Sequence, residues 1–272
     1  MRPSTTLVIG STGKTGRRIA SLLAASGHAM RAGSRQSDPP FDWEQPSTWA
    51  RALTGVDAAY ISYFPDLAAP SAPPAIEALT AAAAEAGVRH LVLLTGRGEI
   101  NAQRCEEIVR DSGLSHTLIR ASWFNQNFSE GHLLKPALSG MIALPAGEVG
   151  EPFVDVDDIA EVAVAALTDE RHAGRLYELT GPRLLTFAEA AAEIARAADR
   201  PVEYAAITAE QLHAALTSAA GADYANLFTD LCREVLDGRN SSVAHGVREV
   251  LGREPRDFTD FCQDAAAAGV WR

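Results

Sequence analysis

The stretch VIGSTGKTGRRIA, residues 8–20, decides how this chain is read. A β-branched apolar run stops at Gly10, glycines recur at positions 10, 13 and 16, and a basic helix-forming segment follows. Glycines so spaced after a strand allow a tight turn, expose main-chain N–H groups to a bulky anion, and let the next helix pack close to the strand. The G-x-x-G-x-x-G turn is therefore expected to hold the pyrophosphate of a dinucleotide, with Gly10, Ser11, Thr12, Gly13, Lys14, Thr15 and Gly16 as its contacts.

Working outward, short β-branched or aromatic runs alternate with Ala-rich segments of helical length. Strands are expected over 5–10, 29–33, 57–63, 90–95 and 115–120, with helices over 14–26, 46–53, 75–86 and 101–112. Gly27, Gly87 and Gly113 suit the position just past a helix, and Pro74 suits a first helical turn. This alternation predicts an α/β fold, a Rossmann-type doubly wound parallel sheet.

After Phe128 the stretch HLLKPALSGMIALPAGEVGEPF has no clean period, so 129–152 reads as an excursion towards a substrate cleft, partly helical at 130–138. VDVDDIAEVAVAALTD then predicts a helix with Asp157 as N-cap and an apolar stripe of Ile159, Val162, Ala163 and Ala166. RLYELTG, residues 175–181, reads as one more strand. Helices near 186–197, 209–218, 222–237 and 257–268 follow, with no further strand expected. The expected organisation is an NAD(P)-binding domain over 1–181 and a smaller, mainly helical substrate-binding region over 182–272.

With 272 residues, 47% of them hydrophobic, the chain can bury a full core. A formal charge of −11 without a basic stripe argues against nucleic acid as a partner. Cys105, Cys232 and Cys262 are odd in number and far apart, without zinc spacing, which predicts reduced thiols and a cytoplasmic location. No apolar run approaches the ~18 residues a membrane span needs, so a soluble protein is expected.

Cofactor choice depends on the end of the second strand, where an acidic residue would accept from the ribose hydroxyls of NAD. This chain has RAGSRQS there. Arg35 suits a 2′-phosphate, Ser34 can donate to it, and Lys14 adds charge, so NADP(H) is expected; the alternative for Arg35 is an ordinary surface arginine. Asp42 is a candidate for the adenine amine, or else a solvated loop carboxylate. Ligands of such sheets lie across the carboxyl ends of the strands. That directs attention to Ser62-Tyr63-Phe64-Pro65, Thr95-Gly96-Arg97-Gly98 and Ala121-Ser122-Trp123-Phe124, where aromatics would wall a nicotinamide and a flat substrate unless they are simply core.

Together IGSTGKTG, RAGSR, LLTGRGE and SGLSHTLIRASWFNQNFSE resemble the NmrA-like branch of the atypical short-chain dehydrogenases/reductases, nearest to the festuclavine/agroclavine dehydrogenase subgroup and its bacterial relatives. The resemblance is strongest over 5–130 and 153–181. It implies an NADP(H)-binding Rossmann domain and a substrate cleft shared with the C-terminal region. Members include reductases of imines, quinones and dyes, some of them in secondary metabolism, and regulators that bind dinucleotide without turnover.

One departure bears on mechanism. Short-chain dehydrogenases commonly use a Tyr followed four residues later by a Lys that lowers the phenol pKa. Tyr60, Tyr63, Tyr177, Tyr204 and Tyr224 all lack that Lys, and the only lysines are Lys14 and Lys135. Relatives carry a Lys on the helix where this chain has Gln103. Hydride transfer to an iminium needs no enzyme-supplied proton, and a quinone accepts hydride readily, so positioning is expected to dominate. The expected substrate is an aromatic or alkaloid-like small molecule. Thr95 and Gly96 would border the nicotinamide, and Trp123, Phe124 and Asn127 the substrate, with Gln103 or Glu99 as polar orienters. Thr95, Gln103, Trp123 and Asn127 are thus the candidate catalytic residues. Glu99 also reads as a helix-start charge favourable to the dipole, and Asn127 as a loop cap. The competing classes are a dinucleotide-binding sensor without turnover and a non-redox isomerase or cyclase.

Overall fold

The computed structural model describes residues 4–272. The first half runs β1 (Thr5–Ile9), α1 (Lys14–Ala25), β2 (Ala29–Gly33), α2 (Trp49–Leu53), β3 (Ala58–Ile61), α3 (Ala72–Glu85), β4 (His90–Gly96), α4 (Ile100–Asp111) and β5 (Ser115–Ala121). It continues through α5 (Asn127–Glu130), α6 (Leu134–Ser139), β6 (Met141–Leu144), α7 (Val156–Thr168) and β7 (Arg175–Leu179). The last elements are α8 (Phe187–Ala198), β8 (Glu203–Ala206), α9 (Ala209–Ala220), α10 (Ala222–Val235), α11 (Gly246–Leu251) and α12 (Phe258–Ala267).

Six strands form one parallel sheet in the order β2-β1-β3-β4-β5-β7. Side chains alternate across it, as period two requires. Leu7, Ile9, Ala59, Ile61, Leu91, Leu93 and Leu118 face α2, α3 and α4 in one core. Val8, Tyr60, Val92, Ile119 and Tyr177 face α1, α7 and α11 in another. The winding reverses between β1 and β3, which opens a crevice at their carboxyl ends.

The expected Rossmann-type α/β fold is observed, with three departures from the sequence reading. Two strands were not expected: β6, inside the excursion, pairs in parallel with β8, beyond residue 181, with Ile142 opposite Tyr204. Each has four residues, too few for a period to stand out from Ala-rich surroundings, and the non-local pairing decides. Secondly, Asp155 rather than Asp157 caps α7, its carboxylate accepting from Asp157 N at 2.8 Å. Both residues precede the same apolar stripe, and Asp157 turns instead to the Arg18 guanidinium at 2.6 Å. Thirdly, the short helix α11 lies where none was expected. Its Gly246 closes onto β7, since a Cβ there would stand 2.3 Å from Glu178 O.

The excursion packs with the C-terminal helices. Phe128, Leu133, Ile142, Leu144, Phe153, Phe187, Phe228, Phe258 and Trp271 share a third core. Its aromatic rings meet mostly edge-on, at 5.6 Å for Phe128–Phe153 and 5.5 Å for Trp123–Phe187. No helix among the described residues is long and apolar enough to cross a membrane.

Candidate functional site

The glycine turn lies at the winding reversal. Gly10 has φ +79°, in the left-handed region, and a Cβ there would meet Ser62 Cβ at 3.2 Å. Gly10 N donates to Gly33 O at 2.9 Å and Gly13 N to Gly10 O at 2.8 Å, so the turn closes on itself. Arg17 N to Gly13 O, 3.1 Å, is the first bond of α1. The N–H groups of Lys14, Thr15 and Gly16 are left as the orphan donors of the helix N-terminus, where the dipole favours an anion.

The glycines divide the work. A Cβ on Gly16 would stand 2.1 Å from Gly10 O, so this residue keeps α1 on β1. A Cβ on Gly13 meets only Gly10 O, at 3.2 Å, and otherwise open space. That open side, beside free amides, is a cradle of the kind a diphosphate fills. Thr15 offers it main chain only, because its buried hydroxyl accepts from Tyr60 at 2.8 Å. Ser11 is half-buried, its N–H directed to Gly33 O at 3.3 Å, and Thr12 is exposed.

Past β2, Arg35 is exposed and no ion pair engages it among the described residues. Ser34 Oγ accepts from Gln36 N at 3.3 Å and so shapes the turn that presents Arg35. Lys14 is not part of that group: the charges around it are Glu130, Arg17, Arg18 and Asp66. Asp42 spends Oδ1 on Glu44 N at 3.1 Å and its carbonyl on the Trp49 indole at 2.7 Å, which makes it a loop-forming residue.

A cavity of about 390 Å³ opens beside the turn. Its floor is built by Gly13–Thr15, by Ser62–Leu67 after β3, by Leu94–Arg97 and Glu99 at the end of β4, and by Ala121–Phe124 after β5. Asn127 and His132 line one wall, and Tyr224, Leu227, Phe228 and Leu231 of α10 close another. Trp123 stands edge-on to His132 at 5.7 Å and to Phe228 at 6.2 Å; Tyr224 stacks on Phe228 at 5.8 Å. The fold thus brings Lys14, Thr15, Ser62, Tyr63, Phe64, Thr95, Gly96, Trp123, Phe124, Asn127 and Glu99 to one cavity. Gln103 is not among them: it is exposed on α4.

Sequence reasoning missed His132, Asp66 and the α10 wall. The period of α10 shows an apolar face but not which space that face lines. His132 sits in a segment without any period.

Thr95 is buried, and its hydroxyl donates to Glu106 Oε1 at 2.8 Å. Glu106 is held by Arg120 at 2.9 and 2.5 Å, and Arg120 reaches Glu178 at 2.9 Å. The Thr95 side chain therefore fixes the end of β4 and is not free for a ligand. Burial lowers the Lys14 ammonium and raises the Asp66 carboxyl, whose Oδ1 accepts from Ala68 N at 2.8 Å. Glu99 is raised well above the carboxylate range, first by burial and then by Asp66, Glu234 and Glu106. Tyr60 is pushed up by burial and Tyr177 is bonded to His172 at 2.9 Å, so neither offers a free phenol.

The chain is 32% identical over 292 residues to the NAD(P)H azoreductase of Xenophilus azovorans, covering 96% of this chain and 98% of that protein. It is 30% identical to the agroclavine dehydrogenase of Claviceps fusiformis, with 96% of each covered. Among solved structures it superposes on the NADPH-dependent quinone oxidoreductase QOR2 of Escherichia coli with a TM-score of 0.77, at 20% identity, over 96% of this chain and 99% of that one. The NmrA-like family model matches residues 101–256. The glycine turn, the parallel sheet and these likenesses agree: this chain belongs to the NmrA-like family.

Proposed function

We propose that the protein is an NADPH-dependent reductase that passes a hydride to an electrophilic aromatic or conjugated small molecule of the iminium, imine or quinone kind. The observation that carries this reading is the open first turn of α1 leading directly into an aromatic cavity at the winding reversal, with an unpaired Arg35 past β2. The names of two relatives, an NAD(P)H azoreductase and an agroclavine dehydrogenase, support the same chemistry.

The amides of residues 14–16 would hold the diphosphate and Arg35 the 2′-phosphate. A reduced nicotinamide supplies the hydride when bound. Gly96, with no side chain to obstruct it, and Ser62 would flank its ring, while Thr95 holds β4 in place from beneath. Trp123, Phe124 and Phe228 would clamp a flat acceptor and exclude water, with Asn127 beside it. No tyrosine of the sequence is followed four residues later by a lysine, so acceptors that need little acid assistance suit the proposed reading best.

Anaerobic mixing with NADPH and a panel of quinones and cyclic iminium ions tests the proposal by absorbance of the reduced nicotinamide. Consumption matched by reduced product is the expected result. Equal binding of both redox forms without turnover would instead mark a sensor, and product without net cofactor consumption an isomerase or cyclase.

A further inference from the structure

Glu99 stands at the N-cap position of α4 with extended backbone (φ −86°, ψ 124°), where an acidic side chain ordinarily bonds its own helix. It does not. Glu234 of α10 takes that part, accepting from Ile100 N at 2.7 Å. The Glu99 carboxyl is folded back under Gly96 instead: a Cβ on Gly96 would fall 1.6 Å from Oε1 and 2.6 Å from Oε2. The residue is 8% exposed, Oε2 has no hydrogen-bond partner, and the side chain lines the cavity.

No arginine or lysine pairs with it among the described residues. The charges that act on it are all acidic, Asp66 from the segment after β3, Glu234 from α10 and Glu106 on α4, and the Cys105 thiol of α4 is also near; Arg239, which donates to Gly98 O at 3.2 Å, pairs with Asp237 at 2.9 Å. The nearby cations are committed elsewhere, Arg120 to Glu106 and Glu178, Arg97 to Glu178 at 3.4 Å, and Lys14 faces Asp66. An unpaired buried carboxylate among three acids would be very costly, so this surrounding favours the protonated form. A second unpartnered polar atom, Ser122 Oγ at the end of β5, lines the same cavity.

We propose that Glu99 is the proton donor of this cavity for neutral conjugated acceptors of the quinone class. The proposal rests on the reductase reading above. In the step it describes, the quinone takes up a hydride from the reduced dinucleotide, which leaves oxidised. The displaced π pair moves onto a quinone oxygen, the Glu99 O–H bond breaks, and a new O–H bond forms on the product. Glu99 is left as a carboxylate and recovers a proton from solvent. An iminium needs no such proton, because the displaced pair neutralises its nitrogen. Glu99 therefore supplies the proton that a Tyr followed four residues later by a Lys, a spacing this sequence lacks, would have supplied.

The test compares wild type, Glu99→Gln and Glu99→Ala, with menadione as the neutral acceptor and the N-methyl-3,4-dihydroisoquinolinium ion as the cationic one. For Glu99→Gln we expect kcat with menadione to fall about 10²-fold, with loss of the alkaline decline of its pH profile. Any loss with the iminium, which reads a positioning role alone, should be at least ~10-fold smaller than the loss with menadione. Independently of turnover, pH-difference infrared spectra of wild type should show a protonated carboxyl band at neutral pH that Glu99→Gln lacks. Equal losses on both acceptors, an unchanged menadione rate and profile, or absence of the band would overturn the role of Glu99. A wild type that binds NADPH but reduces neither acceptor would overturn the reductase reading, and donation with it.

Discussion

In the proposed reading, cofactor choice depends on Arg35. Its guanidinium is exposed and unpaired among the described residues, and Gly33 and Ser34 offer no carboxylate to a ribose hydroxyl. A hydrogen bond to a charged group contributes about 1.5–3 kcal/mol, so Arg35→Ala should weaken NADPH by at least ~10-fold while leaving NADH nearly unchanged. Paired calorimetric titrations check this; equal losses for the two dinucleotides would remove Arg35 from the 2′-phosphate site. The exposure of Arg35 past β2 is what the sequence reading needs, because a phosphate site at the end of a strand takes one exposed cation at one place. Gln103 was misread because the helix that carries it turns that face to solvent, which its position in a motif does not reveal.

At the scale of elements, the wall that follows β5 is held by the start of α7. Asp155 accepts from Gln126 Nε2 at 3.0 Å and from Asn125 Nδ2 at 3.3 Å as well as from its own helix, and Gln126 Oε1 accepts from Val156 N at 2.9 Å. Asp155→Ala removes a cap and strands two buried donors, so it should cost about 2–4 kcal/mol in urea unfolding. Because those donors flank Trp123 and Asn127, substrate KM should rise more than the dissociation constant of NADPH. A second cap answers to pH. Asp257 caps α12 through Thr259 N at 2.8 Å and pairs with Arg183 at 2.8 Å, and this partner brings its pKa from 3.8 down to about 2. A carboxyl so depressed contributes its stability above the ordinary value and loses it as pH falls from about 4 towards 2. Asp257→Asn keeps a capping oxygen and removes the charge, so we expect a loss of about 0.5–1 kcal/mol at pH 7, discounted for the half-exposed pair, that shrinks as pH approaches 3. A constant difference across that range would show that the cap, not the pair, matters.

For the whole molecule, one cavity lies where the three cores approach one another, and segments distant in sequence fasten them. Arg97, at the end of β4, donates to the carbonyls of Asn240 and Ser242 at 2.8 and 2.7 Å. Arg253 and Arg256 hold the fully buried Asp158 and the partly exposed Glu161 of α7. Such ties explain how far the sequence could be read. The parallel sheet was legible because each strand and helix carries its own period and punctuation, and the glycine turn because its residues are adjacent. The β6–β8 pair and the α10 wall depend on contacts between segments about 60 or more residues apart, for which local patterning holds no signal. Glu99 was legible as a residue type at a helix start. Its burial against Gly96, and the replacement of its capping role by Glu234, belong to the folded chain alone.

The central claim is that the main-chain amides beside Gly13 grip a diphosphate, and Gly13→Val tests it most directly. The added side chain has open space in the folded protein apart from Gly10 O at 3.2 Å, so unlike a change at Gly16 it should leave the fold standing, as thermal unfolding will show. Calorimetric titration with NADPH should give saturable binding to wild type and none to folded Gly13→Val. Unchanged affinity in the variant, or no heat from wild type with either NADPH or NADH, would contradict the account.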